Sequence, residues 1–544
     1  MTQATLSANQ SVPVGRRLTR IYLQCFAWYL LGMIGLWLVG IEGVYAHPTP
    51  FYALFSPVFN SLLVPGTVLW LCWLGYLAVR FSGICGPVSS KRRLVAGLVL
   101  CMLLMAVLGA GLGRTAIRDG RPLLAVLADH WTAVRWHLPA IAVLLVSGAA
   151  LCVLLDRRHW FEEEPSPETV RTVLIGIFAF LVLFAAAVAM IRGGPNGISQ
   201  AYTRYRYEYI GDIGQGGSIR GLFRNYEGLH PYLSLHGKAH PPGATAILWV
   251  FSYVFGTGAM GLSIATLLFG SLGIVPLYLW AKDLTDRRTA LTCCMLYAVV
   301  PSIVLFTATS GDILFVPFSM TTLFLFWRAI QRRSVGYALA AGAFYAFCSL
   351  ISFTQLSIGA FFVLVGLWRL KDRATRAAAV QTVLCMVAGF AAIHAVVWFW
   401  SDFNVFACFK LCHGQFYLDQ FHLDQAEPRY PGWVYRFLNP LTWFYFAGIP
   451  VSALLIWRLV RPDKAAKAPF LCFILTLAVL DLCYLGRGEG ERSALYVYPF
   501  MVIPAAHLLG ALHRTAKVHS PLFVTLAFMA FQCWFTESYF YTYW

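Results

Sequence analysis

Apolar runs of roughly 18 to 23 residues recur along nearly the whole chain, and they leave few folds open to it. About twenty apolar residues wound as a helix match the ~30 Å hydrocarbon core of a bilayer. A helix is also one of the two structures that satisfy their own backbone hydrogen bonds there. Of 544 residues, 59% are hydrophobic and 12% charged, against roughly 25% charged in soluble domains. The fold class is an all-α polytopic integral membrane protein, and placing the runs predicts about fifteen transmembrane helices.

The net charge of +17 would point to nucleic acid in a soluble protein. Here much of it lies in short loops, where Lys and Arg hold the chain on the cytoplasmic side. No nucleic-acid partner is expected, and membrane lipids are. Most of the 14 cysteines lie in apolar runs (Cys25, Cys293, Cys294) as small hydrophobes. The first apolar run is too long for a signal peptide and lacks a clear cleavage site.

Charge and hydropathy divide the chain into a cytoplasmic tail (1–21), a four-span extension (22–156), a cytoplasmic linker (157–169) and a core (170–544). The extension has spans near 21–43, 56–79, 94–113 and 138–155, with 122–134 as a short interfacial helix. Core crossings are expected near 170–191, 260–281, 289–309, 313–330, 337–351, 354–370, 379–400, 441–459, 470–485, 494–512 and 522–535. The segment 244–255 is too short to cross and is expected to lie in the interface. Basic turns then fall on one side. The connection 192–243, the turn Ser310-Gly311-Asp312, the loop 401–440 and the run 486–493 all emerge on the other, non-cytoplasmic side.

The connection 192–243 is too long for a plain turn and too aromatic for disorder, which marks it as the active-site loop. Its excess of cations calls for anionic substrate groups. In Tyr205-Arg206-Tyr207-Glu208-Tyr209-Ile210-Gly211-Asp212, carboxylates just outside a span suit general-base work on a hydroxyl. The plain alternative is a solvated loop with surface salt bridges. In Leu235-His236-Gly237-Lys238-Ala239-His240-Pro241-Pro242-Gly243, Lys238, His236 and His240 form a cationic group near a helix N-terminus, which favours phosphate. A proline-capped helix start with a snorkelling lysine is the plain alternative. A zinc site on His236 and His240 is a third, without helical geometry to support it.

The order of an apolar span, an acidic outer loop, a polar-Pro-Pro-Gly run, a short interfacial helix and a span closing on LTDRRTA resembles the start of the polytopic GT-C glycosyltransferases. Bacterial protein mannosyltransferases and aminoarabinose lipid A transferases show this arrangement. Lys238-Ala239-His240-Pro241-Pro242-Gly243 stands where they carry a K-P-P-like run, and Asp312 resembles a second acidic position. The resemblance runs from about 170 to 544 and is clearest over 192–330. Where many members carry an Asp-Glu pair after the first core span, this chain has Ser199-Gln200, followed by Tyr202. The catalytic carboxylate is then expected at Asp212 or Glu208, with Asp212 preferred.

The resemblance implies a polyprenyl-phosphate-linked sugar donor and a glycan, lipid or protein acceptor, with inverting transfer at the non-cytoplasmic face of the plasma (inner) membrane. A loop carboxylate (Asp212, Glu208 or Asp312) would take the acceptor proton, and Lys238, His240, Arg220 and Arg224 would hold the donor phosphate. Arg492, in Gly488-Glu489-Gly490-Glu491-Arg492, could add a planar fork to that phosphate, or simply close a salt-bridged turn. His236, Tyr207 and Glu491 are expected on the acceptor side. No cofactor is called for, and a divalent metal is compatible with the chemistry but not indicated. The loop 401–440 holds Cys408, Cys412, His413 and His422, which suggest an acceptor-side lid, a plain structural loop or, against the usual spacing, zinc. The rivals are a secondary transporter, which should show ionisable groups at mid-membrane, and a polymerase or ligase of lipid-linked glycans.

Overall fold

The computed structural model describes residues 18–27, 123–156, 164–426, 435–460, 467–482, 490–516 and 520–539. The expected spans at 56–79 and 94–113, and most of that at 21–43, lie outside the described residues. Among the described residues every regular element is helical. Six helices are long and apolar enough to cross a membrane: Pro167–Ile191, Ala259–Leu284, Gly311–Arg332, Phe353–Leu370, Arg373–Ser401 and Leu495–Leu512. A bent pair makes a seventh, and five further apolar helices are shorter. Among the described residues the expected count of about fifteen is not confirmed.

Some boundaries differ from expectation for local reasons. Residues 289–309 do not form one rod: Arg287–Tyr297 and Pro301–Thr309 meet at 58°. Proline at 301 lacks the N–H needed to continue a helix but suits the first turn of a new one. The run 441–459 is split between Tyr435–Phe446 and Ile449–Val460, with Gly448 at φ 94° between them. The expected interfacial helix at 122–134 is continuous with the following span as Leu123–Asp156. The outer loop is largely a 22-residue helix, Val405–Ala426; His422 lies in a part whose side chains are not described.

The helices pack around one large apolar core, with Trp280 against Phe361, Phe473 and Phe500 at ring distances of 5.3–5.7 Å. Residues 18–27 and the Leu123–Asp156 helix join it. Tyr22 bonds Thr525 at 3.0 Å, and Trp534 donates to His137 at 3.0 Å. At one end the turns are basic and well capped. Asp286 accepts from Thr289 N, Asp372 from Ala374 N, and Arg328 is paired with Asp283. The polar connection 194–242 folds over the other end.

Candidate functional site

That connection is a string of one-turn helices: Asn196–Ser199, Gln200–Thr203, Tyr209–Asp212, Ile219–Arg224, Tyr226–Leu229, His230–Tyr232 and Leu235–Ala239. Serines start two of them, Ser218 accepting from Gly221 N and Ser234 from Gly237 N. Backbone bonds from Leu235 N to Arg206 O (3.1 Å) and from His236 N to Tyr207 O (3.0 Å) lay the His236 turn beside the carboxylate segment. The Tyr226 hydroxyl reaches the carbonyls of Gly237 (3.1 Å) and His240 (2.9 Å), so one buried side chain clamps both ends of the 237–240 segment.

The three candidate carboxylates have different surroundings. Both oxygens of Asp212 are taken by Ser234: Oδ1 by its backbone N–H and Oδ2 by its hydroxyl, each at 2.7 Å. Residue 237 must be glycine there, because a Cβ would lie 2.1 Å from Asp212 Oδ2. Burial raises the Asp212 pKa, and the Ser234 hydrogen bonds oppose it. Glu208, with its side chain 3% exposed, meets His236 Nδ1 at 3.2 Å. Asp312 opens the turn after Pro301–Thr309, bonded to Ser310 at 3.0 Å and facing Arg492 Nε at 3.4 Å.

Arg492 arrives from the far end of the chain on the short turn Gly490–Ser493. Trp443 donates to Gly490 O at 3.1 Å, and the Ser302 hydroxyl donates to Glu491 O, fixing the turn against Pro301–Thr309. Between the two charged pairs lies an aromatic group. The Tyr209 ring is 5.6 Å from His236 and 6.0 Å from His240, and His240 is 6.0 Å from Phe315. The Tyr209 hydroxyl is buried without a hydrogen-bond partner. Its pKa is raised well above 10, first by burial and then by Asp312 and Glu208.

The two histidines diverge. Burial pushes His240 down to about 4, and its Nδ1 meets the Ser352 hydroxyl at 3.0 Å. Burial also works against the His236 imidazolium, but the charge and hydrogen bond of Glu208 outweigh it and the pKa is raised.

Of the residues singled out in the sequence, Glu208, His236, His240, Asp312 and Arg492 converge at one end of the bundle. Lys238 is part-buried on the same turn, near Asp212 and His230. Glu491 is buried beside Arg492. Arg220, Arg224 and Tyr207 are exposed, and Arg224 pairs instead with Asp402 at 3.5 Å. Cys408 and Cys412 lie 3.9 Å apart, sulfur to sulfur, as free thiols next to Tyr226. Among the described residues no three His, Cys, Asp or Glu side chains are grouped to hold a metal.

Sequence reasoning missed Ser234, Ser352 and Tyr226. Ser234 carries a local signal, a serine three residues before Gly237 that can cap a turn. The contacts of Ser352 and Tyr226 are set by packing across the fold and leave none.

Residues 239–400 match the family of dolichyl-phosphate-mannose-protein mannosyltransferases. The match takes in His240, the Pro-Pro-Gly run, Asp312 and Ser352, and stops short of Glu208, His236 and Arg492. No curated protein matches the chain. Among solved structures the chain is similar to the oligosaccharyltransferase of Archaeoglobus fulgidus, in complex with zinc and sulfate, at 14% identity and a TM-score of 0.37. That alignment covers 67% of this chain and 53% of the other, so the chain spans about half of that protein. The resemblance to GT-C glycosyltransferases is supported by the family match, and with it a glycosyltransferase-type function for a membrane-integral chain.

Proposed function

We propose that the protein transfers a sugar from a polyprenyl-phosphate-linked donor to a hydroxyl acceptor, with inversion, at the membrane face opposite its basic turns. The observation that carries this is the convergence of two nearly buried charged pairs, Glu208–His236 and Asp312–Arg492, from three separate segments at one end of an apolar bundle. Basic turns at the other end favour a cytoplasmic placement for that end and a periplasmic or extracellular one for the site.

The reaction divides between the pairs. As the acceptor oxygen bonds the anomeric carbon, the bond from that carbon to the phosphate oxygen breaks, and the lipid phosphate leaves with the electron pair. Arg492, oriented by Asp312, faces the phosphate and stabilises that growing charge, with Lys238 as a second cation. Inversion puts the acceptor and the departing phosphate on opposite sides of the sugar. Asp312 touches the phosphate-side cation, so the acceptor proton leaves on the Glu208–His236 side. Asp212, spent on Ser234, acts as a strut for the turn bearing His236 and Lys238.

The test is transfer from labelled polyprenyl-phosphate monosaccharides by purified protein in liposomes, with glycan, lipid and peptide acceptors. Transfer that falls at least 100-fold in Asp312→Asn, with the helical content intact, supports the reading. Wild-type protein that moves no sugar from any such donor to any acceptor class overturns it.

A further inference from the structure

We propose that His236, rather than a carboxylate, is the group that removes the acceptor proton, with Glu208 as the positioning residue behind it. This rests on the glycosyltransfer reading and goes beyond it in assigning the base.

The geometry separates the two members of the pair. Glu208 has its side chain 3% exposed, with Oε2 bound to the ring, so an acceptor hydroxyl has little access to it. The His236 ring is 13% exposed. Its Nδ1 faces Glu208, while its Nε2 makes no hydrogen bond among the described residues and is not fully buried. A buried carboxylate on Nδ1 fixes the tautomer with the proton on Nδ1 and a lone pair on Nε2, and it stabilises the imidazolium formed when Nε2 takes a proton. A base must lie at the water interface within reach of the hydroxyl it deprotonates, and of this pair the His236 side chain is the more exposed, 13% against 3%.

In the step, the acceptor O–H gives its proton to Nε2 as its oxygen bonds the anomeric carbon. The phosphate leaves with the C–O electron pair, and the imidazolium then returns the proton to water through the same nitrogen.

The groups facing His236 set its titration. Glu208 and Asp312 favour the imidazolium, while Arg492 and burial oppose it. Asp212, on the neighbouring turn, also interacts with the His236 charge, and the Tyr209 ring lies at 5.6 Å and the His240 ring at 6.4 Å. Tyr209 and His240 are neutral near pH 7, since the tyrosine pKa is raised and that of His240 lies at about 4. The donor, a phosphodiester, and the acceptor hydroxyl do not titrate in this range, so an acid limb near neutrality belongs to the protein.

The experiment is the pH profile of kcat for transfer from a polyprenyl-phosphate monosaccharide, for wild type, Glu208→Gln, Glu208→Asp and His236→Gln. Wild-type kcat should rise with pH along a limb centred above 6.5. Glu208→Gln should move that limb to lower pH and lower its plateau about tenfold, and Glu208→Asp should restore most of both. His236→Gln should lose the limb and at least 100-fold in kcat, with KM for the donor little changed. A folded His236→Gln protein within threefold of wild type overturns the assignment. So does an acid limb near pH 4 that Glu208→Gln abolishes, which would make Glu208 the base. Wild-type protein inactive with every lipid-phosphate sugar would remove the underlying glycosyltransferase reading too, and is told apart because it requires no variant.

Discussion

Two aspartate–arginine pairs stand at opposite ends of one helical span, Gly311–Arg332, and they are built differently. Asp283 and Arg328 meet fork to fork: Nη2 bonds Oδ1 at 2.7 Å, Nε bonds Oδ2, and the guanidinium lies 5.3 Å from the centre of the Phe324 ring. Asp312 and Arg492 share one contact, at 3.4 Å, although both are more buried than the other pair. A bidentate pair gains both geometry and energy from its partner. Arg492 meets Asp312 through one long contact rather than a two-bonded fork. One pair fastens two helices; the other joins a turn from late in the chain to the start of a span.

The largest expected effect tests this contrast. Arg492→Ala should cut kcat/KM for a lipid-phosphate donor about 100- to 1,000-fold, and Arg492→Lys should recover only part, because an ammonium cannot offer the planar fork. Asp283→Asn should leave transfer within about threefold and appear instead as a lower thermal midpoint. Equal losses of transfer in the two variants would erase the distinction.

A second comparison separates Asp212 from Glu208, four positions apart. Asp212→Asn keeps an acceptor for one Ser234 bond and should cost about tenfold in transfer, with Ser234→Ala matching it. A base would cost far more, and Ser234→Ala would then fall well short of Asp212→Asn.

The two histidines give a third test, by stability. The His240 pKa lies at about 4, below the 6.5 of a free side chain, so between those values the unfolded chain binds a proton that the folded one does not. The thermal midpoint should fall as pH drops from 6.5 to 4, and His240→Asn should flatten that fall. His236, with its raised pKa, works the other way: its contribution is complete below 6.5 and fades as pH rises through its folded pKa. His236→Gln should remove the fade.

The smallest effect is expected at the rim. Arg224 and Asp402 are 59% and 66% exposed, and an exposed pair contributes about 0.2–1 kcal/mol at most. Arg224→Ala should therefore change stability by less than about 0.5 kcal/mol. A larger loss of transfer than of stability would return Arg224 to the phosphate-binding group expected from the sequence.

What the sequence made legible follows from which forces act locally. Apolar run length located the long helices, and Lys and Arg in short turns implied which polar segments would share an end. Asp312, His236, His240 and Arg492 were visible as residue types beside span boundaries. Which carboxylate meets which cation was not visible, because those pairings are fixed by packing between segments up to 180 residues apart. Asp212 was preferred over Glu208 on sequence, whereas in the fold Ser234, 22 residues on, takes both its oxygens. The Val405–Ala426 helix was hidden by its polar residues, which offer no long apolar run to mark it.

Arg492 comes from the last tenth of the chain, and this has a consequence for biosynthesis. While residues 313–491 are still being made, Asp312 has Ser310 beside it but not yet the Arg492 guanidinium. On the proposed glycosyltransfer reading, a nascent or truncated chain without Arg492 would hold the donor phosphate poorly, and full activity would begin only when the final helices are made. Completion of synthesis is thus coupled to assembly of the candidate site.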